Sequence, residues 1–242
     1  MKAAAKTDKG LVRPINEDSF LLFCNEGPAL IAVADGMGGH KAGEVASAIA
    51  VETLEKMLAG ESEPSLEKMK EAFRTANLSI YDAAKEKAAE RGGMGTTMTA
   101  LWCTEDQVLM AHVGDSRAYR LRGGELKQMS PDHSLVAEMV RAGIITPEEA
   151  LIHPKRNVIT RALGCFLSVE TDLEAFDAQS GDIWLLCSDG LDKHVTDIEI
   201  AEVLSLPIDP EQKAGLLIEK ALNGGGTDNI TCIIWENEAE KA

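Results

Sequence analysis

The 242-residue chain predicts an α+β fold in which two antiparallel β-sheets pack face to face and helices cover their outer faces. Three observations carry this expectation. The strand-like runs ALIAVA, VLMAHV and IWLLC are apolar on both faces, whereas a sheet with one wet face would alternate. The strands in the middle of the chain are joined by Thr104-Glu105-Asp106 and Gly123-Gly124, which are too short for a parallel crossover. A doubly wound fold needs a helix between most strand pairs, and the middle of the chain has none.

Taken in order, SFLLFC (19–24) and ALIAVA (29–34) are the first strands expected, the second stopping at Asp35. Two helices follow. Val45, Ile49, Leu54 and Leu58 mark one face of 43–59, and Leu66, Met69, Phe73, Ala76, Ile80 and Ala83 one face of 65–90, with a stop at Arg91-Gly92-Gly93. Strands return at 95–103, 107–113, 116–122 and 125–129, the last two joined as a Gly-Gly hairpin. Residues 130–164 break this rhythm and form a flap inserted between core strands, with a helix starting at Thr146-Pro147-Glu148-Glu149. A strand at 182–188, helices near 197–205 and 210–222, and a last strand at 229–235 complete one domain over 1–242.

Composition narrows the function. A net charge of −16, from 24 basic and 40 acidic residues, argues against nucleic acid or an anionic membrane as the main partner, since both need basic patches. Of Cys24, Cys103, Cys165, Cys187 and Cys232, four lie in apolar strand-like runs and none has zinc-knuckle spacing, so buried reduced thiols are expected. MKAAAKTDKG lacks the apolar core of a signal peptide, and no run approaches the roughly 20 apolar residues of a membrane helix. A cytoplasmic protein is expected.

Four acids stand at the rims of core strands: Asp35 after IAVA, Asp115 after AHVG, Asp189 after LLCS, and Asp228 before NITCIIW. Singly, each reads as a turn or helix cap. Together they can converge on one edge, where they would repel one another unless a hard divalent cation such as magnesium or manganese joined them. No His or Cys cluster accompanies them to favour zinc. Gly36 can turn its carbonyl to such an ion with no side chain in the way. RPINED (13–18) adds Arg13, a rigid fork suited to phosphate, with Glu17 and Asp18.

RPINED, DGMGGH, GTTMTAL, HVGDSRAYRLR, DHSLV with HPKRNVITRALG, CSDGL and GGTDNIT occur in that order. Together they resemble the PPM family of metal-dependent serine/threonine protein phosphatases, type 2C, in its short bacterial form, from about Arg13 to Trp235. The resemblance implies an αββα sandwich holding two Mn²⁺ or Mg²⁺ ions and a third, weaker one. It implies Asp35 as the bridging ligand, with Gly36 and Glu17 serving the second ion, Asp189 and Asp228 the first, and Asp18 holding the waters of the first. Asp115 resembles a ligand of the third ion, shared with Asp189, and Arg13 the grip on the substrate phosphate. His40 is the candidate general acid, because Met37 stands where some members carry a histidine. Lys193 stands where members tend to carry an acid or amide, with Asp192 one position early. His133 belongs to the flap.

The activity implied is hydrolysis of phosphoserine and phosphothreonine in proteins by a metal-activated water, without a covalent intermediate. The partners implied are phosphoproteins and a Ser/Thr kinase that the enzyme opposes, and the expected state is a monomer. Two alternatives stay open: a two-metal hydrolase of small phosphate esters or diesters, and a phosphoprotein-binding module with a dead site.

Overall fold

Alternation along β3 shows how one strand can be apolar throughout. In this computed structural model, which describes residues 2–25, 27–38, 42–86 and 93–238, β3 is Ala29–Met37. Ala29, Ile31 and Val33 face a core between two sheets, while Leu30, Ala32 and Ala34 face a core beneath helices. A central strand of a four-layer sandwich has no wet face, as the sequence predicts.

The remaining strands are β1 (Lys2–Asp8), β2 (Asp18–Phe23), β4 (Gly95–Thr96), β5 (Met98–Cys103), β6 (Gln107–Val113), β7 (Arg117–Arg122), β8 (Glu125–Gln128), β9 (Asp172–Asp177), β10 (Ile183–Cys187) and β11 (Ile230–Glu236). One sheet runs β1-β11-β10-β7-β8 and the other β2-β3-β5-β6-β9, with β4 pairing to β3. Every pairing is antiparallel, including the two tight hairpins β5–β6 and β7–β8. Trp184, Leu186, Ile233 and Trp235 of the five-stranded sheet meet Ile31, Val33, Leu101 and Met110 of the six-stranded one.

Helices α1 (Ala42–Leu58) and α2 (Leu66–Glu86) bury Ala46, Ala50, Leu54, Met69, Phe73 and Ile80 against the outer face of the six-stranded sheet. Their counterparts on the other sheet are α6 (Asp197–Leu204) and α7 (Pro210–Asn223), through Ile200, Leu204, Ala214 and Leu217. The flap holds α3 (Leu135–Arg141) and α4 (Pro147–Leu151). Thr146 and Glu149 close the capping box that their spacing predicts. One turn of helix, α5 (Asp189–Asp192), follows β10 directly.

The ends of the flap are tied to each other. Leu135 N donates to Val158 O and Thr160 N to His133 O, both at 2.8 Å, flanking a bridge between Ser134 and Ile159. His133 then fixes the flap to the sandwich: its N–H donates to Gly114 O, Gly114 N–H donates to its Nδ1, and its Nε2 lies 3.0 Å from Asp172 Oδ2.

Several expectations need correction. The strand expected to stop at Asp35 continues to Met37, because Gly36 and Met37 pair with β4. The strand expected over 95–103 breaks at Thr97, whose N–H turns to Asp35 O. β1, β9 and α5 are absent from the sequence reading. Cys24 and Cys165 are exposed, at a strand end and in a loop, while Cys103, Cys187 and Cys232 are buried. The helix stop at Arg91-Gly92 lies outside the described residues. Among the described residues no helix is long and apolar enough to cross a membrane.

Candidate metal-binding active site

Strand pairing supplies the first two carboxylates. The β2–β3 register sets Asp18 directly opposite Asp35 on the six-stranded sheet. Asp35 has its backbone locked: its N–H donates to Thr97 Oγ1, and its carbonyl accepts from Thr97 N and Thr96 Oγ1, all at 2.9 Å. Asp18 reaches across to the other sheet, where its Oδ2 accepts from Ser188 Oγ at 2.7 Å and Thr231 Oγ1 at 2.6 Å.

The five-stranded sheet supplies Asp189, the first residue of α5, and Asp228, just before β11. A Cβ on Gly190 would lie 1.9 Å from Asn229 O, so only glycine lets α5 close on the start of β11. Asn229 gathers the segment that carries Arg13. Its Nδ2 donates to Lys9 O at 3.0 Å and Ile15 O at 2.9 Å, and its Oδ1 accepts from Glu17 N at 2.8 Å. Glu17 takes the Gly43 N–H at the start of α1. A Cβ on Gly36 would lie 2.1 Å from Gly43 O and 2.5 Å from Glu17 O, so this glycine also serves close packing of α1 on β3. Asp115 sits in the β6–β7 turn, after Gly114, whose φ of +117° leaves no room for a side chain against Thr97.

The acids converge. Burial first, then Asp18, Asp189, Asp115 and Asp228 in turn, push the Asp35 carboxyl well above its ordinary range. Asp18 is pushed up to about 7 by burial, against its two hydroxyl donors, with Asp189 and Asp228 adding to the rise. Asp115 is likewise raised to about 7, by burial and then by Asp189. Burial would lift Asp228 too, but Lys193, the Asn229 N–H and Arg13 outweigh it and hold that carboxyl low. Arg13 forks onto Asp228, Nε to Oδ1 and Nη2 to Oδ2, each at 2.9 Å. Lys193 Nζ lies 2.5 Å from Asp189 Oδ2 and 3.2 Å from Asp228 Oδ2.

Among the described residues no three His, Cys, Asp or Glu side chains form a ready-made cage for an ion, and the cations Lys193 and Arg13 contact the oxygens of Asp189 and Asp228. The donor set nevertheless fits a hard divalent cation. Every candidate donor is oxygen, and Oδ1 of Asp18, Asp115 and Asp189 is buried without a hydrogen-bond partner among the described residues.

His40 lies outside the described residues. His133 is a buried structural residue of the flap root. Asp192 Oδ2 meets Arg117 Nη1 at 2.9 Å, and Arg117 also grips Asp132 of the flap through Nε and Nη2, while Asp192 Oδ1 is buried without a hydrogen-bond partner among the described residues. The sequence reading did not single out Asn229, Ser188, Thr231 or Arg117. GGTDNIT contains Asn229 and Thr231, but their partners lie more than 200 positions away. A cavity of about 350 Å³ lined by Gly181, Leu206, Lys213 and Glu236 lies at the opposite end of β10 and takes no part in this rim.

An αββα sandwich rimmed by buried carboxylates, with an arginine at its mouth, is the architecture of a metal-dependent phosphoester hydrolase. The chain belongs to the protein phosphatase 2C (PPM) family of metal-dependent serine/threonine phosphatases, whose pattern matches residues 12–213. The serine/threonine protein phosphatase PstP of Mycobacterium tuberculosis is 44% identical over 237 residues, 97% of this chain and 44% of that protein. The chain thus spans less than half the length of that relative. The serine/threonine phosphatase stp of Listeria monocytogenes is 40% identical over 98% of this chain and 96% of its own. The crystal structure of the PstP catalytic domain in complex with two manganese ions superposes with a TM-score of 0.87, at 42% identity over 96% of each chain.

Proposed function

We propose that this chain is one phosphatase unit that hydrolyses phosphoserine and phosphothreonine in cytoplasmic proteins, opposing a Ser/Thr kinase and working as a monomer. One observation carries the reading: acids from both sheets, Asp18 and Asp35 on one and Asp189 and Asp228 on the other, meet at a rim beside Arg13.

Asp35 and Gly36 O, with Glu17, would hold one cation, Asp35 with Asp189 and Asp228 a second, and Asp115 with Asp189 a third. Magnesium or manganese supplies Lewis acidity there, bringing the pKa of water toward neutrality. The protein's own groups do the positioning. Ser188 and Thr231 fix one oxygen of Asp18 and leave the other to accept from water. The Arg13 guanidinium presents two N–H groups to a carboxylate, and the same fork matches two oxygens of a phosphate. Holding those oxygens leaves the phosphorus open to in-line attack. His40 is the candidate proton donor to the leaving oxygen. The sequence has no Cys-x5-Arg loop, and burial raises the pKa of the exposed thiols Cys24 and Cys165, so neither is a ready thiolate nucleophile.

Replacing Asp35 or Asp228 with Ala is expected to reduce manganese-dependent hydrolysis of a phosphothreonine peptide to background; retained turnover would refute the ligand assignment. Parallel rates on a nucleotide and a phosphodiester test the substrate class.

A further inference from the structure

Lys193, immediately after α5, brings a cation to the oxygens assigned to metal. Its ammonium contacts Asp189 Oδ2 and Asp228 Oδ2, which belong to separate segments, and its side chain is only 30% exposed. The same charge bears on Asp115 in a third segment. Lys193 is the cation that joins the two carboxylates, while Arg13 forks onto Asp228 alone.

We propose that Lys193 is a resident cation of the carboxylate rim, which divalent ions must displace from Asp189 and Asp228, so that this side chain sets the affinity of the site for metal. The displacement is mechanically simple. A lysine carries a compact charge on a four-carbon stem, so its head can swing to solvent without moving α5. The energetic cost is two charge-assisted hydrogen bonds, and the divalent ion must also outcompete a charge already present. The inference rests on the reading of Asp189 and Asp228 as metal ligands.

The test is calorimetric titration of the full chain with Mn²⁺, comparing wild type with Lys193→Asn, Lys193→Met and Lys193→Arg. The neutral variants are expected to bind at least tenfold more tightly, and Lys193→Arg no more tightly than wild type. Thermal unfolding gives an independent readout: saturating Mn²⁺ should raise the Tm of Lys193→Met by more than it raises that of wild type. Equal or weaker Mn²⁺ binding by both neutral variants would overturn the role of Lys193 and leave the metal ligands standing. No Mn²⁺ binding by any of the four proteins would remove the ligand reading and this inference together.

Discussion

Gly190→Ala is a one-methyl test of the convergence of Asp189 and Asp228. The backbone at Gly190 is helical, and helix propensity alone would favour alanine by about 1 kcal/mol. Packing has the opposite sign. The added Cβ would sit 1.9 Å from Asn229 O, so reaching ordinary contact at 3.4 Å means opening the gap by about 1.5 Å, 3.4 − 1.9. Both contacting groups are backbone, so no side chain can swing aside. Overpacking of this kind costs about 1–3 kcal/mol, and a chain of this size loses about 2–4 °C of Tm per kcal/mol. The effect on activity is larger, because the displaced backbone carries both acids: a shift near 1 Å at a reacting centre costs about 100-fold. The expected result is a Tm lower by several degrees and kcat/KM on a phosphothreonine peptide reduced about 100-fold, with weaker Mn²⁺ binding by calorimetry. A variant with unchanged Tm and full kcat/KM would show that the approach of α5 to β11 does not set the geometry of the rim.

Asn229→Ala removes one donor and one acceptor group and with them the bonds to Lys9 O, Ile15 O and Glu17 N; a hydrogen bond of this kind contributes about 1 kcal/mol net. Because these bonds position Arg13 and Glu17, KM for phosphopeptide should rise, and kinetics on the purified variant will show whether it does. Asp172 bears on acid stability. Burial raises its pKa, but hydrogen bonds from His133 and Arg161 outweigh that and hold it below its ordinary value. A carboxyl lowered on folding contributes stability that is complete above its unfolded pKa of about 3.9 and lost as pH falls through the folded value. Asp172→Asn should therefore flatten the fall in urea midpoint below about pH 4; an unaltered acid limb would count against this coupling.

The acid rim was legible because Asp35, Asp115 and Asp189 each follow a strand-like run and Asp228 precedes one. What the sequence could not show was how the loops between them close. The strand β1, KAAAKTD, has alanine as its only apolar residue type, in one unbroken run, so its hydrophobic period is faint, and its place beside β11 comes from a pairing across the whole chain. β9, DLEAFD, is an edge strand with half of its residues exposed, a pattern shared with ordinary loops. The continuation of β3 beyond Asp35 depends on β4, about 60 residues later. Gly36, expected to turn its carbonyl toward an ion, is also needed because α1 approaches within Cβ distance. Asp192 stands one position early in the sequence, and its pairing with Arg117 could not be read there because β7 and α5 are neighbours only in space.

The flap departs and returns through one knot: Leu135 with Val158, His133 with Thr160, and His133 again with the turn that bears Asp115. A segment closed on itself in this way behaves as an interchangeable cassette. Residues 136–157 can therefore be rewritten while the turn that bears Asp115, below the knot, stays in register.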